Sequence, residues 1–227
     1  MRIKSEPSPR LLPVGEFGLL IDWGDTVSSL IYDQVRALDV SLEEHSLDGI
    51  MERVPAYASL LLIYDPLVLH QSELITHINE HLSEIQIKSD HNIRQIEIPV
   101  QYGGDYGPDL ASVAAHTGFS ESEVVERHVS GFYRVGMMGF MPGFAYLLGL
   151  DSELETPRLK SPRTNIPAGS IGIAGQQTGI YPLDSPGGWQ IIGRTTVKLF
   201  DPLSDTPFLL APGDIVRFVE SDGGSPI

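Results

Sequence analysis

Residues 166–195 read IPAGSIGIAGQQTGIYPLDSPGGWQIIGRT. The only charged residues in this stretch are Asp184 and Arg194, although the whole chain holds 30 Asp and Glu. A flexible linker has no use for Ile, Tyr and Trp between its glycines, whereas a set of short strands and tight turns does. The pattern continues on both sides, through YRVGMMGF from Tyr133 to TVKLFD and FLLAPGDIVRFVE. Short apolar runs punctuated by Gly and Pro predict a β-barrel or sandwich rather than βαβ units. The density of glycine predicts, in addition, backbone brought close to another group.

The preceding ninety or so residues have a different rhythm. FGLLIDW has strand character, and TVSSLIYDQVRAL places Val27, Leu30, Ile31, Val35 and Leu38 at helical spacing behind Thr26 as N-cap. GIMERVPAY and SLLLIYD read as strands. SELITHINEHLSEI puts Leu74, Ile75, Ile78 and Leu82 on one helix face, with Ser72 as cap. IRQIEIPV alternates through Ile93, Ile96 and Ile98 and closes a β-α-β-β-α-β order, the split βαβ of ferredoxin-like domains. The expected organisation is α+β: a ferredoxin-like domain over residues 1–92, then a β-barrel domain over residues 93–227. Between them QYGGDYGPD is turn chemistry, followed by two short helices. Pro108 starts the first and Gly118 ends it; Ser120 and Glu123 form a capping box for the second.

Composition removes several classes of function. The 227 residues carry a net charge of -15, which disfavours nucleic acid and polybasic membrane contact. Cysteine is absent, so there is no thiol nucleophile, disulfide or thiolate metal site, in keeping with a reducing cytoplasm. MRIKSEPSPRLLPVGEF lacks the apolar core of a secretory signal, and no apolar run is long enough for a membrane span. The expected protein is soluble and cytoplasmic. There is no GxxxxGK[ST], GxSxG or HExxH motif. His70, His77 and His81, set among Glu73, Glu80 and Glu84, read as a solvated helix face, and no metal site is assigned.

Candidate chemistry concentrates in the second half. GFMPGFAYLLGLD sets Phe140 and Phe144 about Pro142, with Tyr146 offering a polar end suited to a pocket wall. In TPRLKSPRTN, Arg158 and Arg163 each follow a proline, which fixes the local backbone and aims the guanidinium. Such a fork suits a carboxylate or phosphate ligand, or a salt bridge to one of the chain's many carboxylates. Gln176, Gln177, Thr178 and Tyr181 supply neutral donors and acceptors for an amide, or satisfy their own turn. His128, closing the second short helix, reads either as a general acid or base or as a partner of the helix C-terminus.

GFMPGFAYLLGLD, TPRLKSPRTNIPAGSIGIAGQQTGIYPLDSPGGWQIIGRT and LFDP…LLAPGDIVRF together resemble the KipI family, whose members are also called allophanate hydrolase subunit 1 or the B subunit of 5-oxoprolinase. IPVQYGGDYGPDLASVAAHTG and His128 resemble the segment that leads into that family's barrel. The likeness runs from Ile96 to Val219; Met141 departs from the pattern, being bulkier than the small residue expected there.

The resemblance implies a cyclophilin-like β-barrel. It also implies work beside two partners, one of the KipA type (the C subunit of 5-oxoprolinase) and one of the LamB type (the A subunit). The implied reaction is an ATP-dependent opening of 5-oxoproline to glutamate, with ATP and Mg²⁺ bound mainly by a partner. Two other activities accompany the family: inhibition of a histidine kinase, and carboxyl transfer to urea-derived amides. On this reading His128 and Arg163 are the catalytic candidates. Pro142, Tyr146, Arg158, Gln177, Thr178 and Tyr181 bind the small cyclic amide, on a barrel that forms half of a composite site.

Overall fold

The computed structural model of the chain describes residues 8–26, 28–84 and 93–221. These fall into two compact units that part between His91 and Asn92. Among the described residues, no helix is long and apolar enough to cross a membrane.

The first unit contains, in order, β1 (Arg10–Val14), β2 (Gly18–Asp22), α1 (Ser29–Glu44), β3 (Ile50–Pro55), β4 (Ser59–Tyr64) and α2 (Gln71–Glu84). Its sheet has the order β1-β2-β4-β3, with every neighbouring pair antiparallel. Alternation along β2 and β4 buries Leu19, Ile21, Leu60, Leu62 and Tyr64 against Ile31, Val35, Leu38 and Leu42 of α1 and Leu74 and Ile78 of α2. Ser28, rather than the expected Thr26, caps α1 by accepting the Ile31 N–H at 3.2 Å. Val27, counted into the helix pattern, lies outside the described residues. On α2, His77 bonds the His45 carbonyl (3.0 Å) and His81 bonds Ser41 (2.7 Å), so these two histidines tie α2 to α1 rather than lining a free face.

The expected sixth element of this set, IRQIEIPV, does not join the first sheet. Its residues enter a strand of the second unit, where Ile98 and Val100 are fully buried. The edge place beside β2 is filled instead by β1, from upstream of the first helix. Hydrophobic alternation is the same for either pairing, so the sequence alone does not say which sheet a strand enters.

The second unit runs through β5 (Gln95–Tyr102), α3 (Leu110–Thr117), α4 (Glu121–Ser130), β6 (Tyr133–Met138), β7 (Ala145–Leu148), a 3₁₀ turn at Ser152–Leu154, β8 (Arg163–Ile166), β9 (Ser170–Ala174), β10 (Gln177–Ile180), β11 (Ser185–Gly187), β12 (Gln190–Arg194) and β13 (Ile215–Glu220). Seven strands close a barrel in the order β10-β7-β6-β13-β5-β12-β9, with β9 returning to β10. All pairs are antiparallel except β13 with β5. Each barrel strand sends residues inward: Ile98, Val135, Leu147, Ile173, Ile180, Ile192 and Val216 belong to one core, which α3 and α4 join through Val113 and Val124. The interior is therefore packed rather than open. The expected caps form: Gly118 ends α3 in the left-handed conformation (φ 80°), and Ser120 with Glu123 makes a capping box on α4.

Candidate functional site

Strand pairing explains why residues 166–195 are so rich in glycine. On the outer face of the barrel, Gly179 of β10 lies between Tyr146 of β7 and Gly172 of β9, and Gly172 pairs in turn with Ile191 of β12. The two glycines leave a flat floor on which Trp189 and Phe144 lie. A Cβ on Gly179 would stand 3.2 Å from both Phe144 Cζ and Trp189 Cζ3, and one on Gly172 would stand 3.0 Å from Trp189 Cβ. Phe144, Tyr181 and Trp189 meet edge to face, with ring centroids 5.2 Å apart for Phe144–Tyr181 and 5.5 Å for Phe144–Trp189. Ile166, Ala174 and Ile191 complete this second apolar layer. The glycines thus admit aromatic rings, and the close approach predicted from their density is to side chains of the same chain.

A polar rim borders that layer. Tyr146, half-buried, packs against Phe144 at 4.7 Å between centroids. Burial raises its phenol pKa above the usual value, and the positive charge of Arg158 partly offsets this. The Tyr181 phenol is pushed up to about 12, chiefly by burial, against the opposing effects of a hydrogen bond from the Trp189 backbone and of Arg158. Both phenols keep their protons at neutral pH. Arg158 is exposed and, among the described residues, has neither a carboxylate nor a hydrogen-bond partner.

Arg163 is placed differently. Its guanidinium forks onto Asp109, Nη1 to Oδ2 and Nη2 to Oδ1 at 2.7 Å each. Asp109 is 6% exposed and also accepts the Ile191 N–H at 2.6 Å. This bridge fastens β8 to the start of α3 and to β12. Of the two alternatives for the post-proline arginines, Arg163 has the salt bridge and Arg158 presents the unengaged guanidinium.

His128 and Thr178 lie inside the barrel. The imidazole is fully buried, stacks on Phe218 with centroids 4.6 Å apart, and has its pKa lowered to about 3 by desolvation. Thr178 Oγ1 lies 3.1 Å from the Gly172 carbonyl, which only accepts, so the threonine hydroxyl donates there. His128 Nε2, 3.0 Å from the same oxygen, must then carry the proton, and Nδ1 accepts the Tyr102 hydroxyl at 2.8 Å. The chain Tyr102–His128–Thr178–Gly172 is a satisfied, neutral network within the core.

The predicted residues accordingly separate. Tyr146, Tyr181 and Arg158 come together at the outer face. Gln177, partly exposed, projects from that face opposite Ala174, whereas Thr178, next in sequence, necessarily points inward. Pro142 is exposed in the β6–β7 turn, whose Gly143 packs on Phe200 and Pro182. Arg163 borders the site while held by Asp109, and His128 is shut in the barrel. Sequence reasoning passed over Asp109 and Trp189. An ion pair across 54 residues leaves no local signal, while the Gly172/Gly179 spacing of seven was the trace of the aromatic floor.

Residues 9–210 match the carboxyltransferase domain, subdomain C and D. The chain is 41% identical to the B subunit of 5-oxoprolinase from Bacillus subtilis (strain 168), over 91% of this chain and 90% of that protein. It is 43% identical to the B subunit of 5-oxoprolinase from Escherichia coli O157:H7, over 93% of this chain and 95% of that one. The crystal structure of TTHA0988 resembles it with a TM-score of 0.80 and 40% identity, over 92% of this chain but 41% of that one, so this chain spans about two fifths of the solved chain's length.

Proposed function

The chain belongs to the carboxyltransferase-domain family of subdomains C and D, among the proteins called the B subunit of 5-oxoprolinase, and we propose that it is one component of an ATP-dependent 5-oxoprolinase. The observation that carries the site assignment is Arg158: an arginine with no carboxylate partner among the described residues, beside two phenols that retain their protons.

5-Oxoproline is a planar lactam bearing one carboxylate. Arg158 is suited to that carboxylate. The Tyr146 hydroxyl is suited to donate to the lactam oxygen, and Gln177 to pair with the lactam N–H. Tyr181 is 1% exposed and holds the aromatic floor rather than touching the ligand. The amide resists attack by water until its oxygen becomes a leaving group. Phosphoryl transfer from ATP to that oxygen releases ADP; one water then adds to the carbon that bears it and the ring C–N bond breaks, giving an acyl phosphate that a second water splits into glutamate and phosphate. Among the described residues no cluster of three or more His, Asp or Glu is arranged to hold a metal ion. Nucleotide and Mg²⁺ are assigned to the complex with KipA-type and LamB-type partners, where this barrel face forms half of a composite site.

Glutamate release from 5-oxoproline with ATP and Mg²⁺ tests this, with the chain alone and mixed with both partners. Turnover confined to the mixture is the expected result; an intact complex without turnover would overturn the reading. In that complex, Arg158→Gln should raise the KM for 5-oxoproline at least tenfold. It should leave any use of 2-pyrrolidinone, which lacks the carboxylate, unchanged.

A further inference from the structure

On the outer barrel face, one strand beyond Tyr181, two polar side chains face each other without hydrogen-bond partners among the described residues. Ser170 of β9 is fully buried, and its hydroxyl has no hydrogen bond. Arg194 of β12 is its direct cross-strand partner, so both side chains leave the sheet on the same side, roughly 5 Å apart at Cβ. The Arg194 Nε is likewise buried without a hydrogen bond, and among the described residues Arg194 pairs with no carboxylate. In the same unit, Arg94, Arg127, Arg163 and Arg217 all find one. A guanidinium left over in a chain of net charge -15 is not short of potential partners.

The arginine is nevertheless held in place. Its side chain runs beside Gly169 (φ 80°), where a Cβ would stand 3.4 Å from Arg194 Cγ and collide with the Thr195 carbonyl. Its guanidinium carbon lies 5.5 Å from the centre of the Tyr106 ring. Nε–H and Oγ–H are thus two donors on neighbouring strands of one sheet face, both without an acceptor among the described residues, and donors left without acceptors destabilise a fold. A group with two or three oxygens and a negative charge supplies what both require.

We propose that Arg194 and Ser170 form a second oxyanion subsite, which takes a phosphoryl or carboxylate group. Tyr181 donates its backbone N–H to the Ser170 carbonyl, so Arg194, one strand further on, stands about two strand spacings, roughly 10 Å, from the Tyr181 column. The subsite does not depend on which substrate the Arg158 site accepts.

The test uses the full chain, with inorganic phosphate and acetate as separate probes at matched ionic strength, read by isothermal titration calorimetry. Wild-type protein should bind one of the two anions saturably. Arg194→Gln should weaken that binding at least tenfold, and Ser170→Ala several-fold. Arg194→Lys keeps the charge without the Nε donor and should fall between, while Arg217→Gln should match wild type. Loss of phosphate binding in Arg194→Gln assigns a phosphoryl group, and loss of acetate binding assigns a carboxylate. Absence of saturable binding by either anion, or binding equal in wild type and in the Arg194→Gln and Arg194→Lys variants, would overturn the proposal.

Discussion

The Arg163 guanidinium meets both oxygens of the Asp109 carboxylate at 2.7 Å, and the same carboxylate receives the Ile191 backbone N–H at 2.6 Å. Removing Arg163 leaves a nearly buried carboxylate with only one donor. Because the arginine side chain is itself 33% exposed, the loss is smaller than for a fully buried pair, about 1–3 kcal/mol for Arg163→Ala. Arg158→Ala has nothing comparable to break and should lie within about 0.5 kcal/mol of wild type. Urea denaturation of both variants checks the contrast; equal destabilisation would contradict the division into a structural and a ligand-facing arginine.

The aromatic floor makes Gly179 a sensitive position. An alanine there places Cβ 2.9 Å from the Ala145 carbonyl oxygen and 3.2 Å from Phe144 and Trp189. The carbonyl belongs to a barrel strand and the rings are already packed, so none moves freely. Gly179→Ala should cost about 1–3 kcal/mol and alter the near-UV circular dichroism of the aromatic cluster. Unchanged stability would mean that the rings rest on the sheet less closely than the contacts indicate.

Much of this arrangement was legible because local chemistry dictates it. Ser120 and Glu123 announce a helix start through their own hydrogen bonds, and short Gly-punctuated apolar runs announce a barrel. What failed to show was long-range partner choice. IRQIEIPV has an alternation that suits a strand of either sheet, and only Ile98 and Val100 meeting the barrel core decides between them. Gln177 and Thr178 look alike as amide-binding residues, yet strand geometry sends one outward and the other to His128. His128 offered two readings from its place at a helix end, and the interior of the barrel supplied a third.

Burial of neutral His128 makes stability depend on pH. Its pKa falls from 6.5 to about 3 on folding, so between those values the unfolded chain holds a proton that the folded chain lacks. The stabilisation is fully present above about pH 6.5 and declines by about 1.4 kcal/mol per pH unit as the pH drops toward the folded value. Asp151 and Glu123, whose pKa values hydrogen bonding lowers, act in the same direction but near and below pH 4. Denaturation of wild type and His128→Asn between pH 4.5 and 6.5 isolates the histidine. Wild type should show the steeper slope; parallel slopes would mean that the imidazole titrates normally.

Phe140 carries a conformation that its packing does not explain. It has φ 67°, the one positive value among the described non-glycine residues, and its side chain is 62% exposed. A bulky residue in the left-handed region costs about 1–2 kcal/mol relative to glycine. Its edge-to-face contact with Phe144, at 5.5 Å, returns about 0.5–1 kcal/mol. Phe140→Gly should therefore leave stability nearly unchanged or slightly raised, moving the Tm by no more than about 4 °C. The ring stands beside the face that holds Phe144 and Tyr146, so its value to the protein lies in what it covers there. In the reconstituted complex the variant should raise the KM for 5-oxoproline several-fold. A clear loss of Tm with KM unchanged would show that Phe140 serves the fold instead.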